Sequence, residues 1–313
     1  MRKLRRFPIK AILITVIVML ISFAAFLFMA SAALSYQMIM MPRESELFPN
    51  QSASRRDVPS QANEQNWHLK TASGLRLRSV YLPAAQPTTK TIIILHGYGE
   101  DASAMSSYDD LFHRLGYNTL TPDARGFGQS QGKVTTYGYW ERQDVEAWSR
   151  LVLQKQGSHT QIALFGVSMG ASTALMATSL NLPKQVKAII ADSAYTNLRS
   201  ELKHESRSLL KLPSWAQSWL LTALAFSVKR RLGFSLDQVD SVTALRHNFR
   251  PVLLIHGTDD QVVPFEMALQ NARATKGPVT LWRMKKVQHA EGLKMLPVQY
   301  EKHVDRFLTK YLH

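Results

Sequence analysis

Cysteine is absent from all 313 residues. That absence excludes disulfide scaffolds, thiolate zinc sites, iron–sulfur clusters and cysteine nucleophiles. No repeat period runs along the chain, and only 15 glycines and 13 prolines exclude collagen-like and low-complexity readings. Charge is missing from residues 11–42, whereas the whole chain carries 38 Lys and Arg against 23 Asp and Glu, a formal +15. Arg2, Lys3, Arg5, Arg6 and Lys10 supply five of these ahead of the uncharged stretch, which leaves +10 for residues 43–313. There the basic residues are scattered rather than clustered beside stacking aromatics, so no nucleic acid is expected as a partner. A positive surplus of this kind suits a protein working beside an anionic envelope, and an anionic cell-envelope polymer is a candidate partner.

What is present begins with Ala11 to Leu34, AILITVIVMLISFAAFLFMASAAL. As a helix this segment would span about 36 Å, against a hydrocarbon core of about 30 Å, so one N-terminal transmembrane helix is expected over 11–34. The cations of residues 1–10 keep that end in the cytoplasm and send the remainder outward. Ala30-Ser31-Ala32 resembles a signal cleavage site, but the apolar run is longer than the cores of cleavable signals, which favours a signal anchor. Both alternatives export the domain: held at the cell membrane with its bulk extracellular, or secreted if the segment is cleaved. Residues 35–66 are polar, proline-bearing and aperiodic, which reads as a spacer, and the folded part is expected over 67–313.

Residues 66–82 alternate as two strands around Ser73-Gly74, and Thr91–Leu95 is an apolar, β-branched run of the sort buried in parallel sheets. Further apolar runs at 118–121, 162–165, 186–191, 252–255 and 279–284 alternate with helical patterns near 103–115, 138–155, 169–180, 264–274 and 296–312. The alternation implies an α/β domain with a mostly parallel central sheet flanked by helices, and a site beyond the carboxyl ends of its strands. One interval, about 196–247, is helical without a convincing strand and reads as an inserted helical cap, in which Trp215, Trp219, Leu220, Leu224 and Phe226 require an apolar surface to cover; the alternative is that the patch touches the bilayer, with Lys229, Arg230 and Arg231 at lipid headgroups.

Gly166-Val167-Ser168-Met169-Gly170 directly follows a strand and precedes a run of small helix formers. This is the nucleophile-elbow pattern: a tight strand-to-helix turn pushes the serine hydroxyl clear of the sheet, and side chains in place of the glycines would collide with neighbouring backbone. A serine needs a base, and the base an orienting carboxylate. Asp259 and Asp260 follow the strand 252–255, and His289 lies in the loop before the last helix, so serine, acid and histidine sit at successive strand ends. His96 and His256 precede glycines in strand-end turns and are expected to be structural. For the oxyanion, donors are expected from the N–H of Met169 and of Tyr98, in the loop Leu95-His96-Gly97-Tyr98-Gly99. Asp123-Ala124-Arg125-Gly126-Phe127-Gly128 lacks the P-loop lysine and the dinucleotide glycine spacing, so it is expected to be a structural turn.

Together HGYG, DARGFGQS, GVSMG, HGTDDQVVP and QHAEG resemble the α/β-hydrolase superfamily over about residues 67–313, and with the apolar segment the chain is similar to bacterial membrane-anchored cell-surface hydrolases. The resemblance implies the α/β-hydrolase fold, Asp260 rather than Asp259 as the orienting acid, and Tyr98 as an oxyanion donor. It implies a serine hydrolase of carboxylesterase type acting on a small-molecule ester or related acyl substrate, with catalytic Ser168, Asp260 and His289 and with no metal or cofactor. A serine peptidase of the same fold is one alternative. The other is a non-catalytic surface-binding module that uses the fold as a scaffold.

Overall fold

The computed structural model describes residues 13–19, 22–23, 25–26, 28–29, 63–210 and 213–313. Residues 1–10, part of the apolar segment 11–34 and most of the spacer 35–66 lie outside the described residues. The described residues of the apolar segment are helical and exposed, and among the described residues no helix is long and apolar enough to cross a membrane.

Eight strands form one sheet in the order β1-β2-β4-β3-β5-β6-β7-β8. β1 (Gln65–Lys70) and β2 (Arg76–Leu82) make the expected hairpin, and β2 pairs antiparallel with β4 (Asn118–Pro122). From β4 onward every pairing is parallel, through β3 (Lys90–Leu95), β5 (Gln161–Val167), β6 (Val186–Asp192), β7 (Val252–Gly257) and β8 (Val279–Met284). The helices are α1 (Ser106–Arg114), α2 (Glu141–Gln156), α3 (Met169–Ala177), α4 (Leu198–Leu210), α5 (Ser214–Leu232), α6 (Ser241–Leu245), α7 (Phe265–Ala274), α8 (Gly292–Met295) and α9 (Pro297–Tyr311).

Strand side chains alternate between faces, and this alternation divides the core in two. Ile93, Leu95, Leu164 and Ile189 point to the layer of α2 and α3, with Trp148 and Leu175. Their sequence neighbours Ile92, Ile94, Phe165 and Ile190 point to the layer of α1 and α9, with Phe112 and Phe307. Because both faces are covered, the central strands are continuous apolar runs rather than alternating ones. Each such side chain, fully buried, contributes roughly 1.5–3 kcal/mol relative to leaving it in water.

Parallel register aligns the strand ends. Leu95 pairs with Gly166, Val167 with Asp192, Asp192 with Ile255, and Gly257 with Met284. Five successive loops therefore emerge along one rim. Between β6 and β7 the chain inserts α4, α5 and α6; the inner faces of α4 and α5 join Phe127, Met169 and Met267 in a third apolar cluster containing Leu202, Leu221, Leu224 and Val228, while Leu245 of α6 packs into the first cluster.

The covering expected of the α5 aromatics holds for only part of that set. Leu220 and Leu224 are buried, but Trp215, Trp219 and Phe226 are 57%, 65% and 59% exposed. At about 100° per residue the two groups fall on opposite sides of one helix, so no single surface can cover both.

Candidate active site

Ser168 stands between β5 and α3 with φ 53° and ψ −113°, a conformation outside both the helical and the strand regions. Holding a non-glycine residue there costs about 1–3 kcal/mol, so the surroundings must impose it. They do so through the Ser168 N–H, which donates to the Asp192 carbonyl at 2.8 Å, and the Ser168 carbonyl, which accepts from Ser172 N–H at 3.0 Å. The flanking glycines are required by contact: a Cβ on Gly166 would strike the backbone of Gly170 and Ala171, and one on Gly170 the carbonyls of Leu95 and His96.

The His96–Gly99 loop lies beside this turn, since a Cβ on Gly97 would stand 3.7 Å from the Ser168 Cβ. Gly97 N–H donates to Glu100 Oε2 at 2.8 Å. His96 Nε2 accepts from Ala124 N–H at 2.9 Å while its Nδ1 donates to the Gly97 carbonyl at 2.7 Å, so the ring is neutral and ties the loop after β3 to the loop after β4. The Asp123–Gln129 turn has a structural part: Asp123 accepts the N–H groups of Ala102 and Gln129 and pairs with Arg78, while Arg125 forks onto Asp144. Met169, the first residue of α3, is buried, and the Tyr98 ring stacks on Tyr137 at 5.2 Å.

Ser168, His289 and Asp260 form one hydrogen-bonded chain across the rim. His289 Nε2 lies 2.9 Å from the Ser168 hydroxyl and Nδ1 lies 2.8 Å from Asp260 Oδ2. A carboxylate can only accept, so Nδ1 carries the proton and Nε2 is left as the acceptor facing the hydroxyl. Asp259 is exposed and takes the Thr258 hydroxyl at 2.9 Å instead. Asp260 Oδ1 accepts the N–H groups of Val262 and Val263 at 3.0 and 2.8 Å.

His256 is more than a turn residue. Its Nε2 lies 2.8 Å from the Val263 carbonyl and 3.3 Å from Asp260 Oδ2, both acceptors, so this nitrogen carries a proton and supports the acid from beneath. Burial works to raise the Asp260 pKa, but hydrogen bonds from His256 and His289, the nearby charge of His289 and the Val263 N–H outweigh it and bring the group down to about 2.

A supporting layer that the sequence did not reveal lies under His289. Ala290 N–H donates to the Ser193 hydroxyl at 3.2 Å, and that hydroxyl donates to Asp192 Oδ1 at 2.9 Å. Asp192 Oδ2 takes the Tyr300 phenol at 2.8 Å. The only sequence signal for it is the position of Asp192-Ser193 at the carboxyl end of β6, on the same rim. Ala290 itself has φ 56°, the left-handed region.

From above, α4 adds two carboxylates. His204 Nε2 lies 3.0 Å from the Gln261 carbonyl, which fixes α4 against the acid's loop. Glu201 is 5% exposed, its Oε2 has no hydrogen-bond partner, and burial together with the charges of Glu205 and Asp260 pushes its pKa up to about 8. Burial also raises Glu205, opposed by the charges of His204 and His289. Among the described residues no group of three or more His, Asp or Glu is arranged to hold a metal ion. A small cleft lies beside the start of α3, lined by Leu95, His96, Asp144, Trp148, Met169 and Thr173; none of the three linked residues lines it.

A family model described as serine aminopeptidase, S33, matches residues 86–248. The Bacillus subtilis protein YqkD, whose name assigns no activity, is 31% identical over 240 residues, 77% of this chain and 77% of its own length. The chain belongs to this family of α/β hydrolases. Another relative of this α/β hydrolase, the human α/β hydrolase domain-containing protein 17B, is 26% identical over 68% of this chain and 65% of its own. Among solved structures, Pyrococcus furiosus esterase Pf2001 superposes with a TM-score of 0.64 at 25% identity, covering 80% of this chain and 94% of that one. The family match includes Ser168 and ends before Asp260 and His289, so the pairing of those two with the serine rests on geometry alone.

Proposed function

We propose that this α/β hydrolase is a membrane-anchored serine hydrolase that cleaves a carboxylic ester or related acyl compound through an acyl-enzyme. Ser168 Oγ attacks the acyl carbon and gives its proton to His289 Nε2. Asp260, ionised, holds the imidazole by Nδ1 and stabilises the imidazolium that forms. The oxyanion is met by the N–H groups of Met169 and Tyr98. His289 then returns the proton to the leaving oxygen, and a water deprotonated by the same nitrogen releases the acid and restores Ser168.

The observation that carries this reading is the unbroken line of hydrogen bonds from Ser168 through His289 to Asp260, at 2.9 and 2.8 Å. The kinship with an esterase of known structure agrees with it. The test is fluorophosphonate labelling of the intact protein together with aryl-ester hydrolysis. Both are expected to vanish in Ser168→Ala, with a loss of about 10⁶-fold in kcat; labelling on another serine would overturn the assignment. The apolar segment 11–34 supports anchoring, with an extracellular domain, and flotation of the full chain with vesicles checks the anchor.

A second reading, a peptidase, is favoured by one specific observation beyond the family description. Glu201 and Glu205, one helical turn apart on α4, lie close enough to Asp260 and His289 for their charges to interact. They are the kind of group that would receive the ammonium of a peptide terminus. Comparing aminoacyl amides with aryl esters, in Glu205→Gln and in the unaltered protein, separates the two: a peptidase loses amide turnover while an esterase retains its ester turnover.

A further inference from the structure

A helix lying on a domain ordinarily turns an apolar face inward and a polar face to water. α5 does not. Leu220, Leu221, Leu224 and Val228 face the interior, while the opposite side carries Trp215, Trp219 and Phe226, all more than half exposed. These three fall on one stripe, separated along it only by Ser218 and Thr222, which are also exposed. The stripe ends in exposed Lys229, Arg230 and Arg231, and α5 contains no acidic residue. At its other end Gln217 bonds to the Lys203 carbonyl and accepts from Arg207, whose exposed side chains add cations from α4. Contiguous aromatics bordered by cations, on a domain with no other reason to expose them, mark an interaction surface.

We infer that the outer face of α5 is a docking surface for an anionic phospholipid bilayer, with Trp215, Trp219 and Phe226 entering the interfacial layer and Lys229, Arg230 and Arg231 meeting lipid phosphates. Tryptophan is favoured at that depth because its ring is apolar and its N–H wet, and anionic headgroups attract the cations. The inference rests on the anchor reading for its partner. At full extension residues 35–66 could carry the domain no more than about 110 Å from the bilayer that holds segment 11–34, so a bilayer is always within reach. A lipid surface also fits the absence of any carboxylate on α5, which would be repelled there. Docking would bring the cap, and with α4 the roof of the site, against the membrane.

The sequence provides a clean reporter. No tryptophan precedes Trp67, so an anchor in the bilayer contributes no tryptophan signal; of the six tryptophans Trp67 and Trp148 are buried, Trp140 and Trp282 half-buried, and Trp215 and Trp219 more than half exposed. The full chain is reconstituted into phosphatidylcholine–phosphatidylglycerol vesicles with brominated acyl chains, and its tryptophan emission is compared with that in unbrominated vesicles. Quenching is expected, with loss of most of it in the Trp215→Ala, Trp219→Ala double variant and weakening in Lys229→Glu, Arg230→Glu, Arg231→Glu or in pure phosphatidylcholine. Flotation of the same samples reads the anchor. A chain that floats with unquenched tryptophan overturns docking and leaves the anchor standing; one that does not float even with anionic vesicles overturns both. Equal quenching in the double variant, or a dimer in sedimentation that the double variant dissociates while wild-type emission stays unquenched, would also overturn the inference, the second by assigning the face to another copy of the chain.

Discussion

Asp260 and Glu201 are both 5% exposed, yet the first has its pKa brought down to about 2 and the second has its pushed up to about 8. Equal burial with opposite outcome shows that partners, not depth, decide the charge of a carboxylate. On the rim of the sheet, Asp260 receives two backbone N–H groups and two histidines. On the cap, Glu201 has an oxygen with nothing to bond and a second carboxylate nearby. The rim is finished before any substrate arrives, whereas the cap retains an unmet demand for a donor or a cation. Under the proposed mechanism the first region would supply the chemistry and the second would set selectivity.

The largest way to break this contrast is at Asp260. Asp260→Asn keeps the shape but removes the charge and the tautomer preference, and kcat is expected to fall about 10⁴-fold with KM little changed. Steady-state kinetics on an aryl ester check it, and a loss below tenfold would mean that the rim does not depend on this acid.

Glu201→Gln addresses the other half of the contrast through pH. A carboxyl whose folded pKa is raised gives its full stability below the unfolded value and loses it as pH rises through the folded one. Wild type should therefore weaken relative to Glu201→Gln between pH 5 and pH 8, by about 4 kcal/mol at most. Asp260 has the opposite sign, its contribution of about 2 kcal/mol being lost only as pH falls from about 4 through 2. Urea denaturation of both proteins at the two pH values reads the difference. A constant offset between them would show that Glu201 does not titrate in this window.

Much of the rim was legible in the sequence because its constraints are local. Gly166 and Gly170 are glycines for reasons of backbone contact, and the strand before and helix after Ser168 are visible as apolar and small-residue runs. Choosing Asp260 over Asp259 was not a local matter, since both follow the same strand; one turns inward to His289 and the other to solvent. Ser193 was invisible for a similar reason, as its partner Ala290 is 97 residues away. Glu201 looked like one charge among many on a helix, and only the folding of α4 onto the rim turns it into a buried orphan. The two faces of α5, by contrast, could have been separated by counting residues at 3.6 per turn.

The Ser193 contact, on the rim itself and under the His289 loop, should matter less than either acid. Ser193→Ala removes the acceptor for Ala290 N–H and one donor to Asp192, so a loss of about 1–2 kcal/mol in stability is expected. Because the contact positions the His289 loop without touching substrate, kcat should fall while KM stays, and the pH profile of kcat/KM should broaden or shift. A variant equal to wild type in stability and profile would remove Ser193 from the support of the histidine.

The smallest expected effect comes one residue beyond His289, where Ala290 adopts φ 56°. Relief of the left-handed strain in Ala290→Gly favours the variant by about 1 kcal/mol. Against it stand the methyl group, which packs on the Tyr300 side of the core and is worth about 0.8 kcal/mol, and the greater freedom glycine gives the unfolded chain. These opposing contributions nearly cancel, so denaturant unfolding should change by less than about 0.5 kcal/mol. Turnover should change little, because the N–H that donates to Ser193 remains. Destabilisation beyond about 1 kcal/mol would mean that the methyl is part of the rim's rigidity, and the contrast between a finished rim and an open cap would then extend to a single carbon.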